Sequence, residues 1–415
     1  MRIYIETYGC TVNKSDESII VGFLKKDQHI IVDTIEEAEI LILLTCTVIG
    51  TTEQRMLSRL REFKKTNKKI IVAGCMPQVQ KELIKSITPN ASLLPPHYIR
   101  YINNIVYTGK IPLKRNETTI VLKHFKEISA PISIAQGCMF SCSYCITHFA
   151  RGKLQSYPHD RIIIDVKQAL HQECKEILLT AQDTASYGID TQNNLAYLLK
   201  RICEIKGEFR IRVGMMNPYT ALKILKPLVS AYNNEKIYKF LHLPVQSGDN
   251  NILKSMNRKY QIKDFKNIIS TFRKKYPTLT LSTDIIVGFP GETDEQFEQS
   301  IQLIKEIKPD IVNITRFSPR PLTKAKTMKG RLPTDIIKNR SRKLTRLCTE
   351  ISRKNNLKHV GRTYKILITK KDGNLYIGRA ENYKPVVLQE NVSIGQIVSV
   401  KIANSEHVRL VGKLI

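Results

Sequence analysis

The chain has 415 residues, and 66 Lys and Arg against 37 Asp and Glu give it a formal charge of +29. A hydrophobic content of 42% and a charged content of 25% describe a soluble globular protein long enough for two or three domains. No apolar run approaches the roughly 18 residues of a membrane span. The richest, EILILLTCTVIG, falls well short, and the alternating N-terminus MRIYIETYGC lacks the apolar core of a signal peptide, so no membrane association and a cytoplasmic location are expected. An imbalance of charge this large carries a self-repulsion cost. It points to a polyanionic partner, most simply nucleic acid, with a merely solvated Lys-rich surface as the alternative. Nine cysteines in such a chain argue for metal or redox work rather than a disulfide framework.

Residues 1–75 alternate strand and helix. RIYIETY is a strand, KSDESIIVGFLKK an amphipathic helix with Ser15 as expected N-cap, and EILILLT a buried strand. TTEQRMLSRLREFKKTN follows as a helix opened by a Thr51-x-x-Gln54 capping box, and KKIIVAG is another buried strand. This rhythm predicts a parallel sheet with helices on its faces. Cys10, Cys46 and Cys75 each fall at or just past the C-terminal end of one strand, the edge where ligands bind in such sheets. They are expected to meet in space, either as a ligand set or as three buried thiols. Their small neighbours (Gly9, Gly74, Thr45 and Thr47) would let a bulky group approach. Residues 76–128 read as irregular and basic, with TGKIPLKRNETT as a linker.

From 131 a second alternation begins. Its strand-like runs are PISIAQG, EILLTAQ, FRIRVGM, FLHLPVQ, LTLSTDIIVGF and IVNITRF, separated by helical stretches. These units predict an incomplete TIM-like barrel, open on one side, with its chemistry at the strand C-termini. After Pro333 a long helix keeps Ile337, Leu344, Leu347 and Ile351 on one stripe, while Arg340, Arg342, Lys343, Arg346, Arg353 and Lys354 crowd the rest. Five short strands from 361 then read as a small OB-like β-barrel. Residues 357–415 hold ten Lys and Arg against four Asp and Glu. The predicted division is 1–110, 125–355 and 357–415, an α/β architecture closed by a small β-barrel. Cys174, Cys203 and Cys348 lie in helix-like stretches without partner spacing and read as ordinary thiols.

Just after the first barrel strand, AQGCMFSCSYCITHFARG sets Cys138, Cys142 and Cys145 in C-x3-C-x2-C. The loop is too tight for a two-knuckle zinc site, and His148 is the one local candidate for a fourth zinc ligand. Soft thiolates in a compact loop suit an iron–sulfur cluster, and three of them leave one iron of a [4Fe–4S] cluster open. The stretch resembles the signature of the radical S-adenosylmethionine enzymes, in which S-adenosylmethionine occupies that open iron and is cleaved to a 5′-deoxyadenosyl radical.

More of the chain resembles the methylthiotransferase family within that superfamily: ETYGC followed by Asn13, TCTV, VAGCMPQ, GCMFSCSYCITHFARGK, LTAQDTASYG, LHLPVQSGDNNILKSMNRKY, TDIIVGFPGETDEQF and RFSPRPLTKAKTM. The resemblance implies an N-terminal α/β methylthiotransferase domain, a partial (β/α)6 radical barrel and a C-terminal RNA-binding TRAM barrel. It implies two [4Fe–4S] clusters, one on Cys138, Cys142 and Cys145 and an auxiliary one on Cys10, Cys46 and Cys75. S-adenosylmethionine would serve as both methyl donor and radical source. It also implies cofactor contacts from Tyr144, Gln182, Asp183, Asn217, Gln246 and Asp284, which would otherwise be barrel polar groups satisfying one another. One departure is Leu322, where the family more often has Gly.

The family acts on adenosine 37 of the tRNA anticodon loop or on a ribosomal-protein aspartate, and the basic chain favours tRNA. RVGMMNP and ITRFSPRPLTKAKTM are similar to the archaeal–eukaryotic branch, which implies N(6)-threonylcarbamoyladenosine rather than isopentenyladenosine. A threonyl group brings a carboxylate that Arg or Lys can pair with, and Arg316 and Arg320, at the end of the sixth barrel strand, are the candidates. The reaction would also need an electron donor such as a ferredoxin or flavodoxin, and a sulfur donor. A different class, an RNA-binding protein with a structural or redox cluster, is disfavoured by the second trio, which a binding module has no need to leave three-coordinate.

Overall fold

The structure is a computed structural model that describes residues 1–48, 50–112 and 122–415. Most of the expected linker therefore lies outside the described residues. The N-terminal domain is a parallel sheet of five strands, β1 (Arg2–Thr7), β2 (Ile30–Val32), β3 (Ile40–Thr45), β4 (Lys69–Gly74) and β5 (Ser92–Leu94), in the order β2-β1-β3-β4-β5. Its central strand β3, ILILLT, is buried at every position, as a continuous apolar run between two helical layers must be. Helix α1 (Thr11–Lys26) packs with Ile20, Val21 and Leu24 on one face of the sheet, and α2 (Gly50–Lys64) with Met56, Leu57, Leu60 and Phe63 on the other.

Local signals failed at both helix starts. Helix α1 begins directly after Cys10, whose carbonyl accepts from Asn13 and Lys14 N–H, so Ser15 lies inside the helix. Its hydroxyl accepts instead from the Ser133 backbone N–H of the barrel (3.2 Å). Helix α2 is already helical at Gly50, so Thr51 sits within its first turn rather than capping it. The stretch read as irregular holds α3 (Met76–Val79), α4 (Lys81–Ile87), β5 and α5 (Ile102–Thr108), elements too short to display a period.

The central domain contains the six expected strands in sequence order: β6 (Ser129–Ser133), β9 (Glu176–Thr180), β10 (Arg210–Val213), β11 (Phe240–His242), β12 (Thr280–Val287) and β13 (Ile311–Arg316). The small pair β7 (Ala135–Gln136) and β8 (Gln155–Ser156) flanks the cysteine loop and α6 (Thr147–Arg151). Two three-stranded parallel sheets, β10-β9-β6 and β11-β12-β13, join through a parallel bridge between Ile211 and Ile237, giving the open (β/α)6 barrel. Helices α7 (His159–His171), α8 (Leu195–Cys203), α9 (Pro218–Lys223), α10 (Leu225–Ala231), α11 (Asn250–Ser255), α12 (Ile262–Lys275) and α13 (Asp294–Ile307) lie between these strands in the chain. The outward side chains of the strands, among them Ile132, Leu179, Ile211, Leu241 and Leu281, form one core with this helical layer, and the opposite face carries His242, Ser282, Asp284 and Asn313.

Helix α14 (Thr334–Leu357) runs from β13 to the C-terminal domain, a closed barrel of β14 (Thr363–Asp372), β15 (Leu375–Ala380), β16 (Pro385–Leu388), β17 (Ile397–Ser405) and β18 (Leu410–Leu414). Leu344 and Ile351 of the apolar stripe are buried against the barrel core. Arg340 departs from the exposed basic face expected of it. It is buried and paired with Glu292 and Asp294 at 2.7 Å each, because the N-terminus of α13 presents both carboxylates to that turn of α14.

The small barrel docks on the N-terminal end of the radical barrel through its 381–384 turn. Lys384 is buried between Asp310 (2.7 Å) and Asn356 (2.8 Å), and Asn382 donates to the Thr278 carbonyl. The Tyr383 ring packs on Tyr238 and Phe240 at 4.9 Å, with the guanidinium of Arg212 over it. These contacts make the small barrel the floor of the radical barrel.

Candidate active site

The 138–145 loop leaves β7 and enters α6 at Thr147. It is held from three sides: Cys138 N–H donates to the Gly152 carbonyl (3.1 Å), Ser143 N–H to Met256 (3.1 Å), and Ala325 N–H to the Ser143 carbonyl (2.8 Å). Asn257 adds a side-chain bond to the Ser141 carbonyl (2.9 Å). Burial pushes the Cys138 thiol up to about 12 and that of Cys145 upward as well, so unaided these sulfurs would stay protonated. A bound metal reverses that by displacing the proton. Arg258, which sequence reasoning missed, donates to Cys142 Sγ (3.4 Å), to the Pro244 carbonyl (3.3 Å) and to Tyr260 Oη (3.1 Å). Its only sequence signal was its place within the family-like stretch KSMNRKY. His148 Nδ1 lies 3.3 Å from the Cys138 carbonyl oxygen.

The six expected cofactor residues take distinct places. Tyr144 packs in an apolar cluster with Ile252, Met256, Ile286, Phe289 and Ala325. Asp183 is buried, and its carboxylate accepts from Ala185 N–H (3.1 Å), Asn217 N–H (2.9 Å) and Thr220 Oγ1–H (2.7 Å). Burial raises it to about 6 in spite of those donors. It organises the loops after β9 and β10 rather than reaching out. Asn217 caps α9 through Tyr219 N–H. Gln246 takes a left-handed backbone (φ +72°) that bridges β12 through Asp284 and Ile286. Asp284 faces the lumen between His242 (2.9 Å) and Asn313 (2.7 Å), two partners the sequence reading did not single out. Among the described residues, Gln182 Oε1 is buried without a hydrogen-bond partner, a group left over for a polar ligand at this end of the strands.

The second trio comes from three loops tied at one carbonyl. Thr45 C=O accepts from Asn13 Nδ2 (3.0 Å) and from Cys75 N–H (2.9 Å), and Asn13 Nδ2 also donates to the Tyr8 carbonyl (2.7 Å). The loops at Cys10, Cys46 and Cys75 therefore share a frame. Burial first, then Cys10 and Cys75, lift Cys46 to about 12; burial also lifts Cys75. Gly9 and Gly74 do not make room for a ligand, as expected of them. Both have positive φ, and a Cβ would lie 2.5 Å from Cys46 Cβ or from the Thr45 carbonyl, so they permit the loops to touch. No three Cys, His, Asp or Glu among the described residues converge at the spacing of a single metal ion. A cubane, whose thiolates bind different irons, asks for a wider set.

Two buried arginines join the domains here. Arg151, the last residue of α6, reaches from the radical barrel to Asn13 Oδ1 (2.8 Å) and Asp16 Oδ2 (2.6 Å). Arg320 does not present its fork to the barrel mouth. It is buried, and its Nη2 is committed to Glu53 and Thr47 of the N-terminal domain, beside Cys46, because the loop after β13 packs onto the start of α2. Arg316 is exposed, and by strand alternation it shares the outer face of Val312 and Ile314, while Asn313 shares the lumen face with Asp284. Leu322 is exposed with φ +66°, the left-handed conformation that a Gly would take without strain.

A parallel-sheet domain with three thiols at its strand ends, docked on an open (β/α)6 barrel carrying C-x3-C-x2-C, is the architecture of a radical S-adenosylmethionine enzyme with an accessory domain. The chain matches an uncharacterised protein family, UPF0004, over residues 2–94, the radical SAM superfamily over 132–304 and the TRAM domain over 357–415. It is 41% identical, over all of its length and 99% of the relative's, to a probable threonylcarbamoyladenosine tRNA methylthiotransferase of Archaeoglobus fulgidus. The probable enzyme of that name from Pyrococcus horikoshii is 42% identical over the full length of both chains. The threonylcarbamoyladenosine tRNA methylthiotransferase of Homo sapiens is 31% identical over 97% of this chain and 72% of its own. Among solved structures, a radical S-adenosylmethionine methyltransferase from Kitasatospora setae superposes with a TM-score of 0.57 over 78% of this chain and 77% of that one, at 9% identity, a likeness of fold. The chain belongs to the threonylcarbamoyladenosine tRNA methylthiotransferase family: it is a radical S-adenosylmethionine enzyme of the tRNA methylthiotransferase type. Among the described residues no helix is long and apolar enough to cross a membrane.

Proposed function

We propose that the protein converts N(6)-threonylcarbamoyladenosine at position 37 of tRNA to its 2-methylthio form, with one [4Fe–4S] cluster on Cys138, Cys142 and Cys145 and a second on Cys10, Cys46 and Cys75. The observation that carries this reading is the pair of three-thiol sites, one on each of two domains locked together by buried arginines. Each thiol set would hold a cluster with one open iron, and together they supply radical formation from S-adenosylmethionine and a source of sulfur. The chain's own part is positional. Arg258 and the backbone anchors fix the radical loop, and the orphaned Gln182 carbonyl is available to a bound cofactor. Asp183 holds the loops after β9 and β10 in place. The net charge of +29 favours a polyanionic substrate through counterion release.

Of the two arginines expected to meet the threonyl carboxylate, Arg320 is already paired and Arg316 sits on the outer face of β13, so neither faces the lumen. The cytoplasm is the compartment in which such a substrate, a low-potential electron donor such as a ferredoxin or flavodoxin, and a sulfur donor would be met. The test is an anaerobic assay with two tRNAs that differ only in the group on adenosine 37. The threonylcarbamoyl form is methylthiolated and the isopentenyl form is not. Comparable turnover of both would overturn the substrate assignment.

A further inference from the structure

The residue that connects the two thiol sites is Arg151. It lies six residues after Cys145, at the end of the helix that the cysteine loop feeds, yet its side chain leaves the barrel and is buried in the N-terminal domain at 2% exposure. Its Nη2 binds Asn13 and Asp16, both on the first turns of the helix that starts after Cys10. Asn13 is the side chain that ties the Tyr8 and Thr45 carbonyls, one flanking the Cys10 loop and the other preceding Cys46. The guanidinium also bears on the Cys75 thiol, its positive charge opposing the rise that burial gives that thiol. It is therefore a fixed positive charge against the thiol wall of the second site, and a mechanical link from that wall to the radical loop. Asp16 alone could anchor a structural arginine. The tie through Asn13 to the carbonyls that frame all three thiol loops is what a merely structural ion pair would not require.

We propose that Arg151 is a positioning residue for the auxiliary cluster: it holds the Cys10, Cys46 and Cys75 loops in register with the radical loop, and its charge makes the cluster they hold easier to reduce. The inference rests on the two-cluster reading above. A cation beside a thiolate-bound cluster stabilises the reduced, more negative state, and donors to the ligating sulfurs tune the potential in the same direction. Outer-shell partners of this kind are worth about 10–100-fold in affinity or activity when removed. Lysine at the position would keep the charge but lose the planar fork that serves Asn13 and Asp16 together.

The experiment uses the full chain with Cys138, Cys142 and Cys145 replaced by Ala, reconstituted anaerobically with iron and sulfide so that only the second site can be loaded. Its cluster is titrated potentiometrically by electron paramagnetic resonance with Arg151, with Arg151→Lys and with Arg151→Met. The expected result is iron retained in all three, a potential shifted negative in Arg151→Met, and a potential largely restored in Arg151→Lys. In the otherwise native enzyme, both variants are then expected to lower the ratio of methylthio product to 5′-deoxyadenosine by about 10–100-fold. No iron in the background with native Arg151 would mean that the second site holds no cluster, and the two-cluster reading itself would fall. A cluster whose potential and product ratio are the same in all three chains would overturn the role of Arg151 alone. So would a potential that Arg151→Lys fails to move back towards native while both variants melt alike, which would mark a purely structural ion pair.

Discussion

Lys384 of the C-terminal barrel lies 2.7 Å from Asp310, which sits just ahead of the last strand of the radical barrel, and both side chains are buried. Asp310 also accepts from Leu281 N–H (2.9 Å), so the contact joins three chain segments. Replacing Lys384 by Met strands that carboxylate. We expect a loss of about 3–5 kcal/mol in urea denaturation, and a double variant with Asp310→Asn that costs less than the sum of the single changes. A chain ending at residue 356 should likewise melt earlier than the full chain. Any loss of tRNA affinity it shows must then be set against its melting curve before it is credited to missing phosphate contacts.

The same junction sets a pH dependence. Burial, reinforced by Lys384 and by Arg362 and Lys358 against the opposing Asp310, pushes His359 down to about 4, while its Nδ1 meets Tyr364 Oη at 2.5 Å. The folded state keeps the ring neutral where the unfolded chain, near 6.5, takes up a proton. Between these values the unfolded state binds more protons, so stability falls as pH drops from about 6.5 towards 4. His359→Gln should flatten that part of the stability profile, measured by denaturation at fixed pH steps. An unchanged slope would place the titration elsewhere.

Arg320 and Glu53 form an ion pair across the domain boundary, with Gln80 and Thr47 completing the network. Arg320→Ala leaves Glu53 buried without its cation and should cost about 3–5 kcal/mol. Neither this change nor Arg316→Ala should alter the ratio of kcat/KM between threonylcarbamoyl and isopentenyl tRNAs. A lower selectivity in Arg320→Ala at temperatures where it is fully folded would return it to the substrate.

Metal content separates the two thiol sites. Changing Cys138, Cys142 and Cys145 to Ala should abolish cleavage of S-adenosylmethionine and roughly halve the iron per chain. Changing Cys10, Cys46 and Cys75 should halve the iron yet leave cleavage in place. Loss of all iron in either triple variant, by colorimetric iron and sulfide assay, would mean that the sites are not independent.

Legibility followed the range of the interactions. The apolar runs that became β3 and β4 were readable because burial on both faces leaves a continuous signal, and β1 and β10 because a strand buried mainly on one face alternates. The short elements between 76 and 108 were not, since a four-residue helix or a three-residue strand has no period to detect. Ser15 looked like a cap because its neighbours are locally cap-like; a barrel amide 118 residues away uses its hydroxyl instead. Arg340 looked like part of a solvated stripe because helical spacing cannot see the carboxylates of another helix.

By itself, then, the sequence determined the identity and spacing of the thiols, the order of sheet, open barrel and small barrel, and the charge that favours RNA. All of these are properties of residue type and near-neighbour spacing. Tertiary structure alone decided which buried charges meet: Arg151 with Asp16, Arg320 with Glu53, Lys384 with Asp310. A buried ion needs its partner within a few ångströms. Partners separated by 74 to 267 positions are brought that close only by the packing of one domain on another.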